Sequence, residues 1–324
     1  MMQLNINKKK KTEESSRYDA VIIGGGPAGL TSAIYLSRAR FKTLLIEEMI
    51  PGGQAATSDM LENYPGFPGG IEGPKLGSLM EEQAKRFDTD IIYDSVKSID
   101  TDGDVKKVIL PKREIEADTI IIASGAKPRK LNVPGADKFD GKGISYCATC
   151  DGALFKDKNI VIIGCGNSAV EEGLFLLRFV KSITFIQDLP NLTAEAILKE
   201  RIKEKENVKL TFNNKVISIN GEDSIESVTV KKTDTGEEKT VPAEGIFIYI
   251  GFTPNTEFLP GTIDLEKGYV KTDDKLRTNI DGIYAAGDVR VKTLRQVATA
   301  VGDGALAGFN AVKYLENIKE VNNG

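Results

Sequence analysis

Apolar positions along this chain follow two rhythms. Unbroken apolar runs at 18–23 and 119–123 read as buried parallel strands, and shorter runs at 42–46, 159–163, 182–186 and 245–250 read as strands of the same kind. Helical spacing marks 30–40, 73–87, 170–179 and 194–205, and a helix rich in small residues passes through Gly302, Gly304, Ala305 and Ala307. The segments 91–99, 105–110 and 113–117 read as antiparallel strands, with further strands near 208–212, 216–219 and 225–231. The order repeats. Each copy runs strand, glycine turn, helix and second strand, then a β-rich insert and a later strand ending in small residues. This internal repeat predicts an α/β protein with two Rossmann-like dinucleotide-binding folds, not one elongated domain.

The glycine turns carry the first candidate chemistry. Gly24-Gly25-Gly26-Pro27-Ala28-Gly29 follows the first strand directly and opens the first helix. Gly24 makes the tight turn, Gly26 lets a pyrophosphate approach backbone and helix N-terminus, and Gly29 packs helix on strand. Glu47, at the end of the second strand, stands where an acid accepts from a ribose hydroxyl. The second copy, Gly164-Cys165-Gly166-Asn167-Ser168-Ala169, is GxGxxA in the same setting. Between the turns, Pro51-Gly52-Gly53-Gln54 and the stretch from Glu62 to Pro68 read either as plain loops or as segments laid along a flat ligand. Asp288, behind Gly287 at the end of a late strand, reads as an ordinary helix N-cap or as a contact to a phosphate-bearing cofactor.

Tyr146-Cys147-Ala148-Thr149-Cys150-Asp151 is the redox candidate. Two cysteines at this spacing can close a disulfide, open to a dithiol and pass two electrons to another disulfide. Half a zinc site is the competing reading, and it fails on ligand number, since the chain has no histidine and only Cys165 besides. Asp151 is the nearest acid to protonate an expelled sulfur, and would need its pKa raised by burial to do so at neutral pH.

Composition narrows the field. The 324 residues suffice for two domains, and a net charge of −4 argues against nucleic acid as the main partner. No apolar run reaches the length of a membrane helix. Residues 1–16 are polar, carry Lys8–Lys11, lack the apolar core of a signal peptide and are expected to be a disordered leader. Three cysteines are too few for a secreted disulfide scaffold, which points to the reducing cytoplasm.

From about Tyr18 onward the motifs GGGPAG, PGGQ, ENYPGFP, ASGA, CATCD, GCGNSAVEE, IGFTPN, YAAGDV and RQVATAVGDGALA stand in one order, and together they resemble the low-molecular-weight thioredoxin reductase family. The resemblance implies three-layer ββα domains. One, at 17–126 and 251–324, would hold FAD. The other, at 127–250, would be inserted into the first and carry CATC with the second nucleotide site. It further implies a homodimer. FAD would be met by Gly24, Gly26, Pro27, Ala28, Gly29, Glu47, Gly53, Gln54, Asn63, Val96, Ala126, Gly287, Asp288, Arg295, Gln296 and Val297. Cys150 would face the flavin and Cys147 would attack the disulfide of thioredoxin or a similar CxxC protein, with Asp151 as proton donor and acceptor. An inter-domain rotation would turn on hinges at 125–128 and 250–253.

One stretch departs from the family. Members that use NADPH carry an arginine cluster after the strand that follows GxGxxA, because a 2′-phosphate needs guanidinium partners. Here that place reads Gln187-Asp188-Leu189-Pro190, with no basic residue before Lys199. The NAD(P)H site is therefore in doubt. Some relatives in clostridia and cyanobacteria have a degenerate site, and some of these take electrons from reduced ferredoxin. Reduced ferredoxin is the favoured donor on this reading. NADH, whose ribose hydroxyls Asp188 could accept, is the alternative, and NADPH comes last. A ferredoxin–NAD(P) reductase on the same scaffold conflicts with CATC, and a redox sensor conflicts with a pair placed for turnover. The short leader is expected to exclude the peroxiredoxin-linked arrangement.

Overall fold

A computed structural model describes residues 17–103 and 105–323 of the chain. The expected leader at 1–16 lies outside the described residues.

Two main sheets, the first mixed and the second all parallel, are built from different parts of the chain. The first runs in the order Asp90–Tyr93, Thr43–Glu47, Arg17–Ile23, Glu114–Ile122, Lys106–Ile109, Ser98–Asp100. Ile283–Ala285, from the far end of the chain, pairs in parallel with the second half of Glu114–Ile122. Both ends of the chain thus make one sheet. Buried isoleucines on Arg17–Ile23 and Glu114–Ile122 fill both faces, as a doubly covered parallel sheet requires.

Two strand expectations need correction. The run 91–99 is not one strand. Asp90–Tyr93 joins the parallel sheet beside Thr43–Glu47, and Ser98–Asp100 pairs antiparallel with Lys106–Ile109. Conversely, 113–117 and 119–123 belong to a single strand, Glu114–Ile122. Its first half alternates in burial against an antiparallel neighbour and its second half is wholly buried, so one strand shows two hydrophobic patterns.

The second sheet runs Val208–Thr211, Ser182–Ile186, Asn159–Ile163, Ile246–Ile248, Ile144–Ser145, all parallel. A three-stranded antiparallel sheet, 214–242, accompanies it. The edge strand Ile144–Ser145 has no signal in the sequence, yet it delivers the chain directly into CATC.

The chain crosses between the two sheets twice, and the crossings lie side by side. Ala126–Pro128 and Phe252–Pro254 pair antiparallel as a two-stranded ribbon. Gly125 and Gly251, just ahead of each strand, both adopt left-handed φ angles of +65° and +100°, with open space where a side chain would be.

The helix Pro27–Arg38 packs along the long helix Val297–Asn323. Small residues set their separation. A Cβ on Gly304 would lie 2.2 Å from the Ala28 carbonyl oxygen, and one on Gly308 3.0 Å from that of Ser32. The Ser32 hydroxyl donates across the seam to the Gly304 carbonyl at 3.0 Å.

Candidate active site

Cys147 and Cys150 are joined as a disulfide, with their Cα atoms 5.4 Å apart. Cys147 caps the short helix Ala148–Asp151, and its sulfur accepts the Cys150 N–H at 3.2 Å. Cys150 is exposed and Cys147 half-buried. Asp151 is half-buried, and one oxygen of its carboxylate accepts from the Ser145 hydroxyl at 2.7 Å. The same hydroxyl accepts the Cys147 N–H at 3.1 Å. Ser145 is 3% exposed and ties the acid to the disulfide. Sequence reasoning passed over it, because a serine on a two-residue strand has no pattern of its own.

Two further groups lie under this turn. Glu172, on the helix Asn167–Leu176 that packs against the redox turn, is half-buried, and burial pushes its pKa up to about 7, with the Ala148 backbone N–H acting against the rise. The Tyr249 phenol, also raised chiefly by burial, packs against the same apolar layer as Ala148. Glu172 Oε2 and the Tyr249 hydroxyl are both buried without a hydrogen-bond partner.

The first glycine turn forms a cradle. Gly24 has φ +107°, and a Cβ there would meet the Ala123 carbonyl oxygen at 2.3 Å. Gly29 leaves no room for a side chain, since its Cβ would come within 1.9 Å of the Gly24 carbonyl oxygen. Gly26, by contrast, faces open space. The helix behind it starts with no side-chain cap and with Pro27 in its first turn, so its N–H groups are free for an anion. Gly52 N–H donates to the Gly25 carbonyl at 2.8 Å, and a Cβ on Gly53 would touch Gly26 Cα at 3.2 Å, which lays the PGGQ turn along the cradle. Glu47 accepts from the Gly25 N–H at 2.5 Å and the Met49 N–H at 2.9 Å. It shapes the turn.

The far end of the chain closes this cradle. A Cβ on Gly287 would meet that of Ala28 at 2.9 Å. Arg295 Nε donates to the Asp288 carbonyl at 3.4 Å, and Asn63 Nδ2 to Gln296 Oε1 at 3.2 Å. The helix N-cap reading of Asp288 is wrong. Asp288 sits in a separate 3-10 turn, Gly287–Val289, and the long helix starts at Val297. Four expected contacts stand apart from these bonds. Gln54 is exposed, and Val96 packs against the apolar layer of Ile23 and Ile122. Ala126 is buried opposite Pro254 on the ribbon, and Val297 packs against the core at the helix start.

The second glycine turn borders an open cleft of about 670 Å³. Gly164, Cys165 and Gly166 form its floor. Gln187 and Asp188 line it from the end of the strand Ser182–Ile186, with Asn214, Lys215 and Arg129 around the rim. Gly164 has φ +111°, and its Cβ would strike the Tyr249 carbonyl oxygen at 2.1 Å. Gly166 is open except for the Thr193 hydroxyl, 3.8 Å from where its Cβ would be. Asn214 Oδ1 is buried without a partner.

A model of the pyridine nucleotide-disulphide oxidoreductase family matches residues 18–304. The chain belongs to that family. Thioredoxin reductase from Listeria innocua is 45% identical over 309 residues, covering 95% of this chain and 97% of that protein. The crystal structure of Lactococcus lactis thioredoxin reductase in the FR conformation overlays with a TM-score of 0.91 at 44% identity, over 93% of this chain and 99% of that one. A ferredoxin-flavin thioredoxin reductase from Clostridium acetobutylicum overlays at 0.52 with 30% identity, over 93% and 99% of the two chains. The atypical, ferredoxin-type subgroup expected from the sequence gains no support from these likenesses.

As a member of that family the chain is an FAD-dependent disulfide oxidoreductase. Its first cradle fits the cofactor on its own chemistry. The cradle combines a glycine turn open at Gly26, an uncapped helix start, and an Asp288 carboxylate oxygen that is buried without a partner. Burial raises the Asp288 pKa, with Lys292 and Arg295 acting against it, so a hydroxyl donor from a ligand would relieve a real deficit.

Proposed function

We propose that this chain is a thioredoxin reductase whose electrons come from a nicotinamide nucleotide, NADH in preference to NADPH. The observation that carries the donor assignment is the cleft at the second glycine turn. A relic site would not need a floor kept clear at Gly166, a free helix start behind it and a volume of about 670 Å³, which suits a nucleotide. The choice of NADH rests on Gln187 and Asp188 at the end of the strand, where a carboxylate accepts ribose hydroxyls and repels a 2′-phosphate. Lys215 and Arg129 remain for the pyrophosphate.

In this reading, residues 17–126 and 251–324 hold FAD and residues 127–250 hold the nucleotide and the disulfide. FAD, when bound, supplies the two-electron carrier between the nucleotide and the disulfide. Gly26, Asp288 and the start of the helix Pro27–Arg38 bind it, while Arg295, Gln296 and Asn63 position its far end. Ser145 holds Asp151 beside the pair. Once reduced, Cys147 attacks the partner disulfide and forms a mixed disulfide, and Asp151 gives a proton to the expelled sulfur. The Cys150 thiolate then attacks Cys147, the 147–150 bond re-forms, and the partner's second sulfur leaves as a thiolate that takes its proton from water, which completes the dithiol.

Cys147 is half-buried, and the Thr149 hydroxyl donates to the Thr57 carbonyl of the first unit. Arg178–Asp59 at 3.1 Å and Arg201–Glu62 at 2.8 Å bridge the same face. Presenting Cys147 to a protein therefore requires these contacts to part. The ribbon behind Gly125 and Gly251 supplies the hinge.

Anaerobic titration of the flavin absorbance with NADH, NADPH and reduced ferredoxin, each alone, tests the donor. Rapid bleaching by NADH is expected, with NADPH slower. Bleaching at turnover speed by ferredoxin alone would overturn the reading.

A further inference from the structure

The reaction sequence leaves Glu172, a half-buried acid on the helix that packs against the redox turn, without a task. Glu172 does not touch the disulfide. Its helix, Asn167–Leu176, packs against the short helix that starts at Ala148, the completely buried residue next to Cys147, whose backbone N–H favours the ionised carboxyl. Its second oxygen and the Tyr249 hydroxyl are both enclosed and unpartnered. Two buried oxygens without a donor are costly unless a proton moves to meet them.

The surrounding charges do not satisfy the pair. Glu171 on the same helix and Asp59 from the first unit both disfavour the charge on Glu172, and Asp59 is already engaged by Arg178 at 3.1 Å. Asp151 and Glu172 both act on Tyr249 in the same unfavourable sense. The Ala148 N–H acts the other way and favours the ionised form of Glu172.

We propose that Glu172, with Tyr249, is a positioning and proton-holding pair for the redox turn, which takes up a proton when the Cys147–Cys150 disulfide is reduced. Reduction by a dithiol breaks the 147–150 bond and forms the dithiol's own disulfide. Two electrons pass to the protein sulfurs. Of the dithiol's two protons, one stays on a protein sulfur and the other goes to ionised Glu172, leaving the second protein sulfur as a thiolate. Charge and atoms balance, with no proton released to solvent. Where Glu172 is already protonated, below about pH 7, it cannot accept, and the second proton goes to the bulk. The pair thus keeps the local charge constant through the redox cycle, and lets a thiolate persist beside an acid layer that would otherwise oppose it.

The test counts protons. The holoenzyme is reduced anaerobically with dithiothreitol in weak buffer containing a pH indicator. Flavin absorbance, followed alongside, apportions electrons between sulfur and cofactor. At pH 8 the wild type is expected to release up to one proton fewer per reduced disulfide than Glu172→Gln, and at pH 6 the two should agree. Glu172→Asp, which keeps an acid, should behave as the wild type. A purely structural glutamate would leave these counts alike, and equal release at pH 8 overturns the proposal. Should Glu172→Gln not fold, the wild type alone decides, since proton release must rise between pH 8 and pH 6. The proposal rests on the disulfide-reductase reading, but the two fail differently. A pair that dithiothreitol cannot reduce sinks that reading, while equal proton counts on a reducible pair sink this one.

Discussion

The two glycine turns of this chain share one motif and differ in how the rest of the molecule treats them. At the first, the PGGQ turn lies along the loop and the long C-terminal helix lies along the helix behind it, with Gly304 packed against Ala28. At the second, the Thr193 N–H donates to the Cys165 carbonyl at 3.1 Å, so a segment crosses this loop too, but the floor still opens to a cleft of about 670 Å³. The acids differ too. Glu47 spends one oxygen on the Gly25 N–H of the glycine turn and the other on the Met49 N–H of its own loop, whereas Asp188 stands exposed on the cleft wall. A covered turn suits a ligand that stays through every cycle. An open one suits a ligand that enters and leaves.

The comparison breaks hardest at the last position of each motif, Gly29 and Ala169. Gly29→Ala would place a methyl 1.9 Å from a backbone oxygen that cannot move without the whole turn. We expect a loss of flavin on purification and a destabilisation of about 1–3 kcal/mol, read from the absorbance ratio and thermal melting. Retention of full flavin would show that the first turn is no tighter than the second.

Reversing the charge on the open wall sharpens the contrast. Asp188→Arg should raise the NADPH-to-NADH ratio of kcat/KM by roughly ten- to a hundredfold, the worth of one charge-assisted hydrogen bond. Flavin content should stay unchanged. An unaltered ratio would remove Asp188 from the nucleotide site.

The buried acid between the two units gives a smaller effect. The folded-state pKa of Glu172, about 7, lies above the ordinary value of 4.5 for a solvated glutamate. The folded protein therefore binds more protons than the unfolded chain between these values, and stability falls as pH rises from about 4.5 to 7. Glu172→Gln should flatten that fall, gaining about 2 kcal/mol over the wild type at pH 8 relative to pH 5 once partial solvent access is allowed for. Parallel denaturation curves at the two pH values check it. The smallest change is expected at the second turn itself. Ala169→Gly should cost only about 0.5–1 kcal/mol, the helix price of a glycine, with nucleotide kinetics preserved.

Local chemistry explains how far the sequence could be read. The turns at 24–29 and 164–169 and the CATC pair announced themselves, because tight turns and dithiol spacing depend on neighbours in the chain. Asp188 stands out by its charge, whereas the ferredoxin expectation rests on the absent arginine cluster, and such an absence says nothing about whether a cleft is open. Strand boundaries failed at 91–99 and 113–123, where one run serves two neighbours of opposite direction and the burial pattern changes midway.

By itself, the sequence determined two dinucleotide folds, the redox pair and the acid beside it, because each is encoded by residues within a few positions of one another. Only the tertiary structure decided what covers the first turn and leaves the second open. It alone set Ser145 between Asp151 and Cys147, and it alone enclosed Glu172 with Tyr249 beneath the disulfide. Those relations join residues far apart in the chain. Packing and desolvation, which act through space and carry no sequence spacing, are what bring them together.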